Sequence, residues 1–431
     1  MNNPRREVWA SCLLVLAAAA CGKREPAVRE HSFLTVQAPV KVSDLTCPAI
    51  ARTSKGALVL TAFIHTAFPS ATEPGEAVAV LESKDDGATW REIARVPSFV
   101  AYGVWGYDLA VDGEDRLYLT WVAAVYDAAT RIPLKTVMFS RSEDGGRTWS
   151  ASVGVSDATS GQRRNPALAV IGAHIGIAWL DARAEGQPLH GRPRAEEDVY
   201  FAASADRGAT WSANNCLEKD LAAKDSRPSE PALAATPQGA VACAYFSMRK
   251  YKASVGGFWI ARSADGGSTF DIDRHGEGAL GSLSLAAAEG RLYLGAESTT
   301  HVAIRVPPEP QSQVLLFASR DDGQTWGRPV RIDEDAGASW RTNVRLEPAG
   351  SGRLLAAWDD HTTGIVLAAS IDGGETWGKT VKVAERSAVG LTAIDVAVDP
   401  ASGAFYLVVG HVSKGAGGAI QLVKGKVASG A

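Results

Sequence analysis

Cysteine is scarce in this chain, and the pairs of cysteines that commonly bind zinc are missing. The 431 residues hold five cysteines, and no two of them form a Cys-x-x-Cys pair. Because structural zinc sites use such closely spaced cysteines, the sequence predicts no metal site. Cys47, Cys216 and Cys243 lie far apart and allow at most one disulfide bond among them. We expect most of them to be small, buried hydrophobic residues.

An excess of charge of one sign is also missing. The formal net charge is -4 at pH 7, and the calculated isoelectric point is about 6.1. This balance predicts no basic patch for nucleic acid or for an anionic membrane surface. We therefore expect no nucleic-acid partner, and no motif in the sequence predicts a cofactor.

The N-terminal region lacks an apolar run long enough to cross a bilayer. The apolar stretch from Trp9 to Ala20 falls well short of the roughly 20 residues that a spanning helix needs. Arg5 and Arg6 precede this stretch, and small residues end it. Such a pattern is typical of a secretory signal peptide, here over residues 1–20.

Cys21 follows Ala18-Ala19-Ala20 directly, and this arrangement resembles a bacterial lipobox. The sequence departs from the usual pattern at Ala18, where a lipobox normally carries leucine. The resemblance implies that Cys21 is lipidated and that residues 21–31 form a charged tether. We expect a lipid anchor in the bacterial cell envelope, at the outer membrane or the periplasmic face, with simple secretion as the alternative.

A repeated motif is the main feature that the sequence does contain. The pattern Ser-x-Asp-x-Gly-x-Thr-Trp occurs six times, with Phe270 in place of Trp in the fourth copy. Successive serines lie 59, 62, 59, 56 and 51 residues apart. A regular period of this size predicts a repeat architecture. We call each copy a box; the copies begin at Ser83, Ser142, Ser204, Ser263, Ser319 and Ser370.

Each box is expected to form the turn of a β-hairpin. A β-rich run precedes it, as in residues 199–203 before Ser204, and a second short strand follows. The glycine supplies a positive φ, and the aspartate accepts hydrogen bonds from the backbone of its own turn. Threonine and tryptophan suit a half-buried strand.

The boxes resemble the Asp-box, or BNR-repeat, family, whose best-known members are sialidases. The resemblance implies an all-β, sialidase-like β-propeller over residues 32–431. It also implies that the box aspartates are structural and lie away from the active face. Those aspartates are Asp85, Asp144, Asp206, Asp265, Asp321 and Asp372.

The repeats predict seven blades of four antiparallel strands. Six blades carry a box, and a seventh unit from Ile394 has three strands and no box. Residues 38–42 match residues 328–332, the fourth strand of blade five, so the N-terminal strand should complete blade seven. Closure of the ring leaves only short, protected edges. A six-bladed propeller of sialidase type is the alternative.

The face opposite the boxes is the expected binding site, because its loops sit on a rigid scaffold. The catalytic candidates are Asp181 and Glu230, which belong to neighbouring blades and are expected to share a pocket. The binding candidates are arginines, one aromatic residue and one carboxylate: Arg164, Arg183, Arg249, Trp340, Arg341 and Asp359.

Two functions are consistent with these residues. Hydrolysis of an acidic sugar needs an acid, a base or nucleophile, and arginines that hold the substrate carboxylate. Sialidases place an arginine before the first strand of blade one, where this chain has Thr46, and Arg164-Asn165-Pro166 has the look of that motif but lies in blade three. The sequence therefore favours a monomeric propeller that binds a glycan or an envelope protein, with an exo-acting glycoside hydrolase of sialidase type as the alternative.

Overall fold

The computed structural model describes most of the chain from residue 32 onward. The described ranges are 32–43, 45–63, 77–97, 106–126, 133–157, 162–183, 197–218, 226–228, 230–236, 238–249, 257–275, 279–299, 312–334, 337, 339–386, 392–411 and 418–429. Within these ranges, no helix is long and apolar enough to cross a bilayer.

The described part of the chain begins with two short strands, and six complete blades follow in order. The opening strands are β1 (Leu34–Val36) and β2 (Val40–Ser43). Blade one holds β3 (Thr46–Arg52), β4 (Leu58–Phe63), β5 (Ala77–Ser83) and β6 (Arg91–Pro97). Blade two holds β7 (Tyr107–Val111), β8 (Leu117–Tyr126), β9 (Pro133–Ser142) and β10 (Val153–Gly154). Blade three holds β11 (Arg163–Ile171), β12 (His174–Asp181), β13 (Asp198–Ser204) and β14 (Asn215–Cys216).

Blade four begins with a first strand in two pieces, β15 (Ser226–Pro228) and β16 (Ala232–Ala235), which both pair with β17 (Val241–Arg249). Its outer strands are β18 (Gly257–Ser263) and β19 (Asp271–His275). Blade five holds β20 (Ala279–Ala288), β21 (Arg291–Thr299), β22 (Ser312–Ser319) and β23 (Val330–Arg331). Blade six holds β24 (Arg341–Gly350), β25 (Arg353–Asp360), β26 (Gly364–Ser370) and β27 (Val381–Ala384).

Blade seven is built from both ends of the described chain. It holds β28 (Thr392–Asp399), β29 (Ala404–His411) and β30 (Ala419–Val427), and both opening strands pair with β30. Leu34 lies opposite Val427, and Val40 lies opposite Leu422. The predicted closure by the N-terminal strand is confirmed, and the strand starts earlier than expected because it is split in two. The protein is a seven-bladed β-propeller, so the six-bladed alternative is excluded.

The core is divided among the interfaces between blades. Seven clusters of buried hydrophobic residues each draw on two neighbouring blades, including the interface between blade seven and blade one. Five of the seven second strands carry an aromatic residue near their end, and all five lie in these interfaces: Phe63, Trp121, Trp179, Tyr245 and Trp358. Trp121, Trp179 and Trp358 are fully buried there. Their burial in the blade interfaces indicates that they pack blades together and do not present a platform to solvent.

All six boxes form the same hydrogen-bonded turn. In the first, the Ser83 hydroxyl donates to Asp85 at 2.8 Å and accepts from the Gly87 amide at 2.8 Å. The Thr89 amide and hydroxyl both donate to the Asp85 carboxylate, at 2.9 and 2.5 Å. These donors lower the pKa of Asp85 to about 2. The box aspartates are therefore ionised turn acceptors, and their oxygens are already engaged.

The box glycine also meets the preceding blade. Gly208 has a φ of +83°, and a Cβ there would lie 2.1 Å from the Phe139 ring of blade two. Trp211 of the same box packs edge-on against Phe139, with ring centroids 5.1 Å apart. The box turn is thus a contact between blades as well as a hairpin turn.

The box turns and the second-strand carboxylates lie at opposite ends of the blades. On β12, Ile175 lies opposite Ser204 of the box, whereas Asp181 at the other end lies opposite Asp198. The face that carries Asp181 is therefore the face remote from the box turns, as the sequence predicted.

Candidate functional site

A cavity of about 420 Å³ opens at the propeller axis on the face remote from the boxes. Blades three to seven all contribute to its wall, and such different blades meet only at the axis. We call it the axial cavity; it is lined by Arg164, Glu230, Gly281, Ser282, Glu297, Thr342, Asn343, Asp359, His361, Arg386 and Thr392.

Bulges in the first strands aim side chains into this cavity. Asn165 and Asn343 have φ angles of 53° and 54°, and the register of β11 and of β24 shifts at these residues. A bulge adds a residue and re-aims the side chains around it, and asparagine tolerates a positive φ better than most residues. The Asn343 amide also donates to the Thr392 carbonyl at 2.8 Å, which joins blade six to blade seven.

Glu297 is a buried carboxyl group of the axial cavity. It is 4% exposed, and its Oε1 has no hydrogen-bond partner. Burial raises the pKa of Glu297 to about 7, although the Ser282 amide, the Ser312 hydroxyl and the Arg341 charge partly oppose this shift. A Cβ at Gly281 would lie 2.3 Å from Glu297 Oε2. Glycine at position 281 is therefore what allows the carboxyl group to sit against the first strand.

Asp359, Arg386 and His361 form a second group on the cavity wall. Arg386 Nε donates to Asp359 Oδ1 at 3.1 Å, and Asp359 is 2% exposed. Burial and the Arg386 charge lower the pKa of His361. His361 therefore stays neutral at pH 7 and can exchange a hydrogen bond with the Thr342 hydroxyl, 3.4 Å away.

Trp340 forms an aromatic rim beside this group. Its ring lies over His361, with centroids 6.3 Å apart and planes 26° from parallel. Trp340 is 43% exposed, whereas the other tryptophans within the described ranges are buried or half-buried. It is one of two large hydrophobic side chains exposed within the described ranges, the other being Val40 at 52%.

Arg164 pairs with one carboxylate at the cavity edge and lies near a second. It makes a bidentate ion pair with Glu197, at 2.7 and 2.5 Å. The bonds to Glu197 and the nearby Glu230 charge raise the pKa of Arg164, against the effect of burial. Glu230 is exposed and lines the cavity. The structure thus brings together Arg164, Glu230 and Asp359 among the predicted site residues.

Asp181 lies inside blade three and is not part of the cavity wall. It is 1% exposed and accepts hydrogen bonds from Trp179 Nε1 at 2.9 Å and from Arg183 at 2.7 Å. Arg163 lies 3.2 Å away on the opposite strand. Because these donors fill the carboxylate, the expected convergence of Asp181 with Glu230 in one pocket is not observed.

Arg183 is likewise committed to the blade. It bonds to Asp157 at 2.6 Å and to Asn214 at 3.0 Å, and its guanidinium lies 3.9 Å above the Tyr200 ring. Together with the bond to Asp181, these contacts hold the Arg183 side chain within the blade structure.

Arg341 is also buried, close to the cavity but not on its wall. It lies 2.8 Å from Asp333 and 3.4 Å from Asp360, and it donates to the Gly337 carbonyl at 2.6 Å. Two predicted residues fall outside what the structure describes. Arg249 ends β17, and its side chain is not described; Cys21 lies outside the described residues altogether.

Glu297 and Arg386 were not among the sequence candidates. Glu297 could have been found by aligning blade five with blade six on their boxes. Glu297 lies five residues after Leu292, the strand partner of the box serine Ser319. The candidate Asp359 lies five residues after Leu354, the strand partner of the box serine Ser370. Arg386 follows β27 in a segment without a repeat signal, so no pattern in the sequence indicates it.

A cluster of three carboxyl groups, those of Asp108, Glu347 and Asp395, lies deeper along the inner strands. Asp108 of blade two accepts from the Leu168 amide of blade three at 2.8 Å, and Asp395 of blade seven accepts from the Ile50 amide of blade one at 2.8 Å. Enclosure by protein raises the pKa of Asp108 to about 7, and its proximity to Asp395 adds to the shift. Glu347 of blade six shares this region, and its pKa rises to about 8 for the same two reasons.

The described residues contain no group of three or more His, Cys, Asp or Glu side chains placed to hold a metal ion.

Comparison with known proteins gives a structural likeness only. No family model matches the sequence, and no curated protein matches it. An alpha-L-arabinofuranosidase from Fusarium graminearum superposes with a TM-score of 0.54 at 14% identity, over 90% of this chain and 97% of that chain.

Two further solved structures are similar to the same degree. A Hadza microbial sialidase gives a TM-score of 0.50 at 18% identity, over 82% of this chain and 74% of that chain. An alpha-L-arabinanase from Penicillium chrysogenum, complexed with arabinobiose, gives 0.50 at 16% identity, over 79% and 99%. Identities this low establish the fold alone, and the chain is a β-propeller similar in fold to sialidase and arabinanase propellers.

Proposed function

We propose that this protein is a glycan-binding propeller that holds a sugar residue in the axial cavity. The observation that carries the proposal is a cavity of about 420 Å³ lined by polar side chains, one of which, His361, stacks against the exposed ring of Trp340. Ligand pockets commonly enclose about 300–1,000 Å³ and combine an apolar surface with a few convergent polar groups. Sialidase and arabinanase propellers share the fold, which is consistent with a carbohydrate ligand.

The cavity offers the groups that sugar hydroxyls require. Thr342 and Asn343 supply a hydroxyl and an amide, which both donate and accept hydrogen bonds. Asp359 and Arg386 supply a charged acceptor and donor side by side. Trp340 presents an apolar ring face that suits the C–H surface of a sugar ring.

A second function, glycoside hydrolysis, is favoured by one observation. Burial holds the pKa of Glu297 at about 7, so a large fraction of this carboxyl group carries a proton near neutral pH. Such a group is suited to protonate a glycosidic oxygen. An exo-acting glycoside hydrolase is therefore the alternative, with Glu297 as the acid.

A glycan array probed with the detergent-solubilised protein tests binding. We expect retention on a subset of glycans, and Trp340→Ala should weaken retention because the ring platform is removed. Val40→Ala is the matched control, since Val40 is exposed on the outer strand of blade seven. Equal retention of the Trp340 variant, or no bound glycan at all, would count against the proposal.

The hydrolase alternative has its own readout. Any glycan that binds is incubated with the protein, and new reducing ends are measured. Release of sugar that disappears in Glu297→Gln would favour the enzyme, whereas binding without release would leave the binding function alone.

We further propose that the propeller is tethered to the cell envelope through a lipid on Cys21. The lipobox-like sequence before Cys21 supports this proposal. Phase partitioning in detergent should place the protein in the detergent phase and Cys21→Ser in the aqueous phase. Identical partitioning of both forms would exclude the anchor.

A further inference from the structure

We infer that the axial cavity selects a glycan that carries a free primary amine, that is, an amino sugar. The inference rests on the proposed glycan-binding function and names the ligand class for the same site. It follows from how the charged groups of the cavity wall are paired.

Both arginines of the cavity wall are already neutralised. Arg164 makes its bidentate ion pair with Glu197, at 2.7 and 2.5 Å. Arg386 pairs with Asp359, with 3.1 Å between Nε and Oδ1. A ligand carboxylate would have to displace one of these partners, and the displaced carboxylate would remain close to it. The described wall is therefore poorly suited to an anionic sugar.

The cavity acids that no described cation contacts directly are Glu230 and Glu297. Glu230 is exposed at the cavity edge, and the nearby Arg164 directs its hydrogen bonds to Glu197. Glu297 is 4% exposed, and its Oε1 has no hydrogen-bond partner, although it lines the cavity. A buried polar atom without a partner is costly, so a ligand that supplies a donor to it gains free energy.

An ammonium group fits these acids better than a hydroxyl does. It has three donors and no acceptor, and it forms charge-assisted hydrogen bonds with carboxylates. It can therefore donate hydrogen bonds to both Glu230 and Glu297, and it has no lone pair that would face a carboxylate. A neutral sugar satisfies the same oxygens with weaker bonds, and an acidic sugar adds repulsion.

Titration calorimetry with four series of oligosaccharides of one length tests the inference. The probes are glucosamine, N-acetylglucosamine, glucose and galacturonic acid oligomers, measured at a pH below the amine pKa. We expect the glucosamine series to bind about tenfold or more tighter than the glucose series, as for one hydrogen bond to a charged group. The galacturonic acid series should bind most weakly, and the amine preference should shrink at high salt.

Charge-neutral variants assign the effect to the cavity. Glu230→Gln keeps the shape of the side chain and should reduce the ratio between amine and neutral affinities. Glu297→Gln provides a second, buried test, and thermal melting establishes that each variant is folded. Glu143→Gln is the matched control, because Glu143 is exposed in the box of blade two, on the opposite face.

The outcomes separate this inference from the proposed function. Binding of neutral oligosaccharides with no amine preference, or a preference for galacturonate, would overturn the inference and leave glycan binding intact. An unchanged preference in both cavity variants would also overturn it. Absence of binding to every oligosaccharide and to the glycan array would overturn both.

Discussion

Arg163 and Asp181 face each other across the first two strands of blade three, and blade six repeats this pair with Arg341 and Asp360. The two residues of each pair are direct partners in the strand register. Nε of the arginine lies 3.2 Å from the carboxylate in blade three and 3.4 Å in blade six. All four side chains are almost fully buried. In each of these two blades, the pair joins the start of the first strand to the end of the second strand.

Breaking this pair should cost stability without direct loss of ligand contacts. Asp181→Asn leaves the Arg163 guanidinium buried without its counter-ion, which typically costs about 3–5 kcal/mol. Denaturant unfolding measures the change, and Glu92→Gln is the control, since the Glu92–Arg95 pair lies on the surface. Unchanged stability together with lost glycan binding would return Asp181 to the functional site.

The closing strand should be essential for a cooperative fold. Deletion of residues 33–43 removes β1 and β2, which cover the outer edge of β30, and an open edge is a template for aggregation. We expect a broad melting transition and oligomers in size-exclusion chromatography. A chain that starts at residue 32 is the control. Sharp melting of the deleted form as a monomer would contradict the observed closure.

Stability should decrease as pH rises from about 4 to about 8. The pKa values of Asp108, Glu297 and Glu347 rise to about 7, 7 and 8 in the folded protein. Unfolded carboxyl groups titrate near 3.9–4.3, so the folded state holds more protons in this interval and loses that advantage as they dissociate. The free energy of unfolding measured from pH 5 to pH 9 should fall.

The contribution of the carboxyl cluster on the inner strands can be tested within the same experiment. Glu347→Gln removes one titrating carboxyl group from the neighbourhood of Asp108 and Asp395. The decrease in stability between pH 5 and pH 9 should become smaller in this variant. A slope equal to that of the unmodified protein would show that Glu347 titrates normally.

Gly281 should control the position of the cavity acid. Gly281→Ala would bring a methyl group to 2.3 Å from Glu297 Oε2 and force the carboxyl group to move. We expect weaker glycan binding with little change in the melting temperature. Gly113→Ala is the control, because a Cβ there has open space. Equal affinity of both variants would show that Glu297 does not contribute to binding.

The box glycine should be required for contact between blades as well as for its backbone angle. Gly208→Ala puts a methyl group against Phe139. Gly172→Ala also places alanine at a positive φ, of 60°, but the new methyl group has open space around it. Overpacking adds about 1–3 kcal/mol, so the first variant should lose more stability than the second by about that amount. Thermal or denaturant unfolding measures both. Equal losses would assign the whole effect to the backbone.

The ring of blades could be predicted because the sequence of each box specifies its own turn. Ser83, Asp85 and Thr89 make their hydrogen bonds within one turn, so the local sequence is sufficient to specify it. The period between boxes then gives the number of blades. The match of residues 38–42 to an internal strand gave the closure.

The site was predictable only in part, because strand register decides which side chains reach it. Arg163 points into blade three and Arg164 points to the cavity, although they are adjacent in sequence. A shift of one residue exchanges the two faces of a strand. The bulge between Arg164 and Ala167 sets that choice, and it depends on pairing with β12, which no local motif specifies. Arg386 reaches the cavity from a connection with no repeat to align.

The pairing of Leu34 with Val427 dictates the order in which the molecule is completed during synthesis. Each of the first six blades is contiguous in sequence and is available for folding as soon as its fourth strand has been made. β1 cannot pair until β30 has emerged, so it waits while the six blades between them are made. Closing so long a loop carries an entropic penalty, and contacts of such high sequence separation form slowly. Joining the two ends is therefore expected to be the late step in folding, after the blades themselves have formed.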